Sequence, residues 1–408
     1  MPDTIDLLKL QNQVELVQKA GGHFLPPEAR HDVERVVVLV SGSRCGSSYL
    51  FRALRQTGLF WTPNGEETPL YRLFDVGRVR GLHDSDEMTS YTDADLDNVG
   101  GAILNDLGRF TSTPSAGIAS DFITRLLLQR PSRAREVPVW QEVLAAVVKN
   151  AGVDVTPEKI WWRWLEKLKL SLGPYDGGRG EFSEISLEEP PWIVPSHTEK
   201  PSRESLTARP VLLKTSTNVY RMDWLKKVFP RARCQWVFLQ RNPLGAVNGL
   251  IDGWLSNAFH SHDLEGVARL QIAGYSDVKK GGEHWWKFDL PPGWSEFTQA
   301  PLERVALFQW TSAYESIIHH LEGESYVGVK YEDLLMDPEI PLRKILTFVE
   351  AGERARLKPV PPTMATLKPQ AGRWRARREV LMPLLEDQKL KFLSECLRYP
   401  PSKADSWI

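Results

Sequence analysis

The 408-residue chain contains only three cysteines, Cys45, Cys234 and Cys396. They are far apart and odd in number. That spacing excludes a disulfide framework and a zinc-binding pattern, and it predicts a reducing, cytoplasmic compartment. No run of 18 apolar residues occurs, so there is no sequence signal for a membrane span. The first 22 residues, MPDTIDLLKLQNQVELVQKAGG, lack the apolar core of a signal peptide and pattern as an amphipathic helix. Net charge is also missing: 51 basic residues face 52 acidic ones, for a formal charge of −1. Nothing in that balance draws the chain to nucleic acid or to an anionic membrane, so any anion site must be local. What the chain does have is an ordinary globular composition, 42% hydrophobic and 25% charged, together with 15 tryptophans.

Apolar periodicity predicts a helix near 4–19 and a linker, the two filling residues 1–31. A strand follows at 35–41 and a helix at 46–57. Between about 84 and 207 the texture changes to polar, helical and Pro-rich pieces. This block is expected to be a largely helical insertion covering the acceptor side of one domain that spans 1–408. Strands are expected at 210–215, at 234–240 and within SYVGVKYEDLL. Helices are expected over NVYRMDWLKKVFP, from Pro243, over 301–322 and near 338–350. Strands alternating with helices predict an α/β fold: three α/β/α layers around a central, mostly parallel sheet. Ligands of such sheets sit at the carboxyl ends of the strands.

The first such end reads VVVLVSGSRCGSS, strand into a Gly/Ser loop into a helix. This is the layout of a phosphate-binding loop. Against G-x-x-x-x-G-K-[ST], Gly46 and Ser48 fit, but Ser47 stands where the lysine that serves ATP belongs. The cation is instead Arg44, inside the loop. An anion shorter than a triphosphate is expected there, held by amides from Cys45 to Ser48. Arg241, directly after the 234–240 strand, suits a second phosphate. The 367–380 stretch LKPQAGRWRARREV clusters basic residues around Gly372 and Trp374.

Together these segments resemble the PAPS-dependent sulfotransferases, which have a P-loop-like fold. The likeness covers roughly 35–75 and 208–378. It implies that Ser43, Arg44, Cys45, Gly46, Ser47 and Ser48 hold the 5′-phosphosulfate of PAPS (3′-phosphoadenosine 5′-phosphosulfate), and that Arg241 holds its 3′-phosphate. The family's serine eight residues after that arginine is Gly249 here, with Asn248 or a nearby hydroxyl the expected substitute. Gly372, Arg373, Trp374 and Arg375 would cap the nucleotide. PNGEETPLYRL resembles the Gly-Glu-Glu-Thr segment of the tyrosylprotein sulfotransferase branch, with Glu67 on the catalytic carboxylate and Glu66 beside it. Lys214, at a neighbouring strand end, is expected to assist, and His260, His262 and His284 are the other candidate bases. The implied reaction is in-line sulfuryl transfer from PAPS to a hydroxyl of a small-molecule acceptor, a natural product or an aromatic or apolar alcohol. PAP is the product and no metal is required. Neither nucleic acid nor a membrane anchor is expected, and a homo-oligomer is compatible. The alternatives are a P-loop nucleotide kinase and a non-catalytic PAPS- or PAP-binding protein.

Overall fold

The computed structural model describes residues 6–20, 24–111, 117–129, 197–256, 259–352, 355, 357–360 and 362–407. The strands among them are β1 (Arg35–Val40), β2 (Arg109–Phe110), β3 (His197–Glu199), β4 (Val211–Leu213), β5 (Arg233–Gln240), β6 (Ser261–Asp263), β7 (Trp285–Lys287) and β8 (Tyr326–Lys330). The main sheet has the order β4-β1-β5-β8. Every neighbouring pair is parallel, with Val38 level with Leu213 on one side and Trp236 on the other. β2 with β3, and β6 with β7, form small antiparallel pairs outside it.

β1 is apolar throughout its buried length because both of its faces are covered, as a central parallel strand requires. Val36, Val38 and Val40 belong to one core, and Val37 and Leu39 to the other. The second core is closed by α2 (Ser47–Arg55) and by a later helix, Glu339–Phe348. The first is larger and is built by Asp93–Asp106, Met222–Val228, Pro243–Leu255 and Leu302–Leu321. Three layers result, as expected from the strand and helix alternation. In chain order the α-helices among the described residues are α1 (Leu7–Ala20), α2, α3 (Thr68–Leu73), α4 (Asp93–Asp106), α5 (Gly117–Gln129), α6 (Met222–Val228), α7 (Pro243–Leu255), α8 (Leu302–Leu321), α9 (Tyr331–Met336), α10 (Glu339–Phe348), α11 (Arg378–Leu381) and α12 (Gln388–Cys396).

Two local readings are refined. The polar stretch at 83–98 ends in α4, whose start is a reciprocal capping box between Thr92 and Asp95. The single helix expected over 218–230 is a 3-10 turn, Ser216–Tyr220, followed by α6. The buried Thr217 and Asn218 side chains hydrogen-bond across to Arg221 and Glu67, which holds the chain in that tighter turn. The Trp-rich segment IWWRWLEKLKL and the stretch VWQEVLAAVVKN lie outside the described residues. No described helix is long and apolar enough to cross a membrane. The cysteines are free thiols.

Candidate functional site

All four strands of the main sheet deliver a residue to one cavity of about 360 Å³. Lys214 follows β4, Ser43 to Ser48 follow β1, Arg241 follows β5 and Tyr331 follows β8. β4 and β5 flank β1 although β1 comes first, so the crossovers leave it in opposite directions. A crevice opens where they part.

The loop after β1 turns sharply. Arg44 has φ 64° and Gly46 φ 92°, and Gly46 ends directly on the N-terminus of α2. Tyr331 presses against that glycine: a Cβ there would lie 2.3 Å from its ring. Gly46→Ala is therefore expected to unseat the loop, weakening anion binding at the start of α2 and lowering the melting temperature. Calorimetry with adenosine 3′,5′-bisphosphate, beside a thermal melt, checks both effects.

Arg241 lies over the Tyr331 ring, 4.4 Å from its centre, and donates from Nη1 to the Arg44 carbonyl at 2.6 Å. Its Nε is buried with no hydrogen-bond partner. A buried guanidinium N–H left unmade is costly, and an anion in the cavity would satisfy it. Arg44 runs the other way. Its Nε reaches the Gly249 carbonyl at 3.4 Å and its Nη1 the Met364 carbonyl at 2.5 Å. The guanidinium stacks on Phe259, 4.3 Å from the ring centre, with Phe288 next to it at 5.9 Å. This path explains the glycine at 249. A side chain there would start 3.2 Å from Arg241 Nη1 and 3.3 Å from Arg44 Cβ, so the family's serine would crowd both arginines.

Lys214 brings a cation to the loop, which has Ser47 and not a lysine at its own helix start. From the end of β4 its Nζ donates to Ser48 Oγ at 2.8 Å and pairs with the Glu66 carboxylate. Glu66 accepts a second bond, from Thr215 Oγ1 at 3.1 Å. Glu67 points away from the cavity. One of its oxygens accepts the Lys214 N–H at 2.7 Å and the other Asn218 Nδ2 at 3.3 Å. It is 0% exposed. Burial pushes its carboxyl up to about 7; the Lys214 N–H pulls it down and the Glu66 charge pushes it further up.

Of the residues singled out from the sequence, Ser43, Arg44, Gly46, Ser47, Ser48, Glu66, Lys214, Arg241 and Arg373 line the cavity. Cys45, Glu67, Asn248, Gly372, Trp374 and Arg375 do not. The Cys45 thiol is buried against Tyr314 Oη, and burial pushes it up to about 11. Asn248, expected to replace the serine, is buried and accepts instead from Arg377 at 2.6 Å. The expected cap is tied down elsewhere. Trp374 Nε1 and Arg375 donate to the Trp407 carbonyl, and Arg373 pairs with Asp252 on α7 at 2.7 Å. Of the three candidate histidines, His260 lines the cavity and His262 and His284 do not. Burial and then the Arg72 charge hold its imidazole well below the usual range, and its Nε2 accepts from Arg72 at 2.7 Å. His262 sits beside the buried Asp86 and His284 beside Glu283.

Sequence reasoning missed the β6/β7 hairpin. It brings Phe259, His260 and Phe288 to the wall, tied by the Phe288 N–H to the His260 carbonyl at 3.0 Å. Phe259 and Phe288 both have positive φ, 76° and 65°, a strained state that a run of aromatic residues does not announce. Trp286, in the tryptophan-rich GEHWWKF, packs in the core against Trp254 and Trp294. Among the described residues no cluster of His, Cys, Asp and Glu could hold a metal ion.

No protein-family profile matches the chain, and no curated protein does. Solved structures with a similar course of the chain are a sulfotransferase domain from the curacin biosynthetic pathway, a sulfotransferase domain from the Synechococcus PCC 7002 olefin synthase and a sulfotransferase from Alicyclobacillus acidocaldarius. The first is 10% identical at a TM-score of 0.38, with 92% of this chain and 99% of that one covered. The second is 13% identical at 0.39, covering 92% and 96%. The third is 12% identical at 0.36, covering 90% and 96%.

Proposed function

We propose that the chain is a sulfotransferase that moves a sulfuryl group from PAPS to a hydroxyl of a small molecule. The observation that carries this reading is Lys214. Its amine touches both Ser48, at the anion-binding helix start, and Glu66, a carboxylate on the cavity wall. A phosphate cation and a proton acceptor thus meet at one point, where a hydroxyl acceptor and a charged leaving group would meet. A kinase loop would instead carry its lysine at position 47 and aim it at the outer phosphates.

The residues fit a nucleotide bearing two separate anions. Ser47, Ser48 and the amides opening α2 would hold the 5′ group, with Arg241, carrying its unmatched Nε, on the 3′-phosphate. PAPS bound there would supply the activated sulfuryl group. The chain's own part is proton and charge management. Glu66, the carboxylate at the cavity, takes the acceptor's hydroxyl proton. Lys214 pairs with Glu66 and faces the charge that develops near Ser48. Glu67, the carboxylate the family likeness favours as base, backs Glu66 and fixes the Lys214 backbone. Phe259 and Phe288 give the acceptor an apolar wall, which fits an aromatic or apolar alcohol.

Incubation with sulfur-labelled PAPS and a panel of phenols and aliphatic alcohols tests the reaction. Label transfer to any of them supports it; tight PAP binding with no transfer to any acceptor favours a silent binder. For the donor site, Arg241→Ala is expected to weaken adenosine 3′,5′-bisphosphate by about 10- to 100-fold. Adenosine 5′-phosphosulfate, lacking the 3′-phosphate, should be little affected. Calorimetry on both ligands decides, and equal losses would remove Arg241 from the 3′ site.

A further inference from the structure

Arg125 lies on α5, inside the block whose sequence resembled nothing, and is 0% exposed. Its guanidinium makes no contact with solvent and divides its donors between one carboxylate and one short turn. Nε donates to Asp106 Oδ1 at 3.1 Å, and Nη2 also pairs with that carboxylate. Nη1 donates to the Glu66 carbonyl at 2.7 Å and Nη2 to the Gly65 carbonyl at 3.3 Å. Asp106, at the end of α4, accepts in turn the Asn64 N–H at 2.8 Å. Three consecutive backbone units, at 64, 65 and 66, are thereby pinned to one buried ion pair.

A buried ion pair is by itself weak evidence for stability, because desolvation offsets most of the attraction. The geometry is more informative. Only a planar fork reaches a carboxylate and two carbonyl oxygens together. The turn it grips carries Glu66, whose carboxylate must meet Lys214 and Thr215 just past the end of β4. We infer that Arg125 is a positioning residue that holds the Gly65–Glu66 turn so that the Glu66 carboxylate faces the cavity against Lys214. The inference rests on the sulfotransferase reading for its catalytic consequence, but not for its geometric one. Reaction geometry is sensitive to such supports: a displacement of about 1 Å costs on the order of 100-fold in rate.

Arg125→Lys keeps the charge beside Asp106 and loses the fork. Turnover per binding-competent protein, counted by adenosine 3′,5′-bisphosphate stoichiometry, should fall about 10- to 100-fold. The donor KM should stay near its starting value, and the acid limb of the pH–rate profile should move. A second readout needs no catalysis: acetylation of Lys214 by acetic anhydride, followed by mass spectrometry. A buried amine that loses its carboxylate is more readily neutral and acylates faster, so Arg125→Lys should raise labelling at Lys214 several-fold, as Glu66→Gln should. Lower melting with unchanged turnover and unchanged Lys214 labelling would make Arg125 a structural brace and overturn the inference. If the unaltered protein transfers no sulfuryl group, the functional reading falls, and Lys214 labelling still decides whether Arg125 places Glu66. Should the Arg125 variant not fold, Asp106→Asn weakens the same brace from its other end. A rise in Lys214 labelling there supports the inference, and no rise overturns it.

Discussion

Glu66→Gln should lower turnover by about 10²- to 10⁴-fold while leaving affinity for adenosine 3′,5′-bisphosphate nearly unchanged. The amide keeps the shape of the side chain and can still accept from Thr215, but it cannot take a proton from a hydroxyl. Glu67→Gln is expected to be milder on rate and to show its effect in stability. The Glu67 carboxyl is raised from 4.5 to about 7 by burial, so the folded protein prefers it protonated. The unfolded chain loses that proton at lower pH. The group's stabilising share is therefore complete below pH 4.5 and is lost as pH rises through 7. A shift of that size corresponds to roughly 3 kcal/mol. Thermal melts at pH 5 and pH 8 should show a larger drop for the unaltered protein than for Glu67→Gln. Equal drops would mean that Glu67 is not held protonated. Pre-steady-state rates and a donor titration on both variants separate the two roles. Full activity in Glu66→Gln with loss only in Glu67→Gln would return the base to Glu67, the position suggested by the family likeness.

That Glu66 and not Glu67 lines the cavity shows where sequence reasoning stops. The loop at 41–48, Lys214 and Arg241 were all legible. Each follows a strand buried on both faces, and such strands leave unbroken apolar runs that end at the same side of the sheet. Glu66 and Glu67 precede α3, in a turn with no periodicity. Which of them faces the cavity is set by Arg125 and Asp106, far along the chain and in a region with no recognisable pattern. The basic cluster at 373–378 was hard to read for a different reason. Arg373, Arg375 and Arg377 share a short 3-10 turn and Arg378 opens α11: Arg373 and Arg377 both pair with Asp252, Arg377 also donates to Asn248, Arg375 reaches the Asp405 and Trp407 carbonyls and Arg378 pairs with Asp405. A count of charges could not tell which one enters the cavity. The Phe259 and Phe288 wall was hidden because both residues take a backbone conformation that sequence patterns assign to glycine.

Arg44→Ala should lower turnover about 10²- to 10³-fold, the loss typical of removing one preorganised donor to a developing charge. The backbone is not the cause, because alanine at φ 64° carries the same left-handed strain that arginine already bears. What is lost is a cation fixed from three sides: by the Gly249 carbonyl on α7, by the Met364 carbonyl on the opposite wall and by the Phe259 ring. Those contacts set the guanidinium before any ligand arrives, so little reorganisation remains for the reaction. They also join α7 to the 362–370 segment that lines the cavity. Arg44→Lys separates the two contributions. Lysine keeps the charge, but its single ammonium lacks the planar fork that bridges both carbonyls while stacking on the ring. If charge at the loop dominates, lysine should recover most of the rate. If the bridge dominates, lysine should resemble alanine in rate, and both variants should raise the donor dissociation constant as the 362–370 wall loosens. Turnover together with calorimetric donor affinity, measured on both variants at two ionic strengths, distinguishes these outcomes. Normal turnover in Arg44→Ala would show that the loop cation takes no part in the chemistry and that Lys214 alone serves the transferring group.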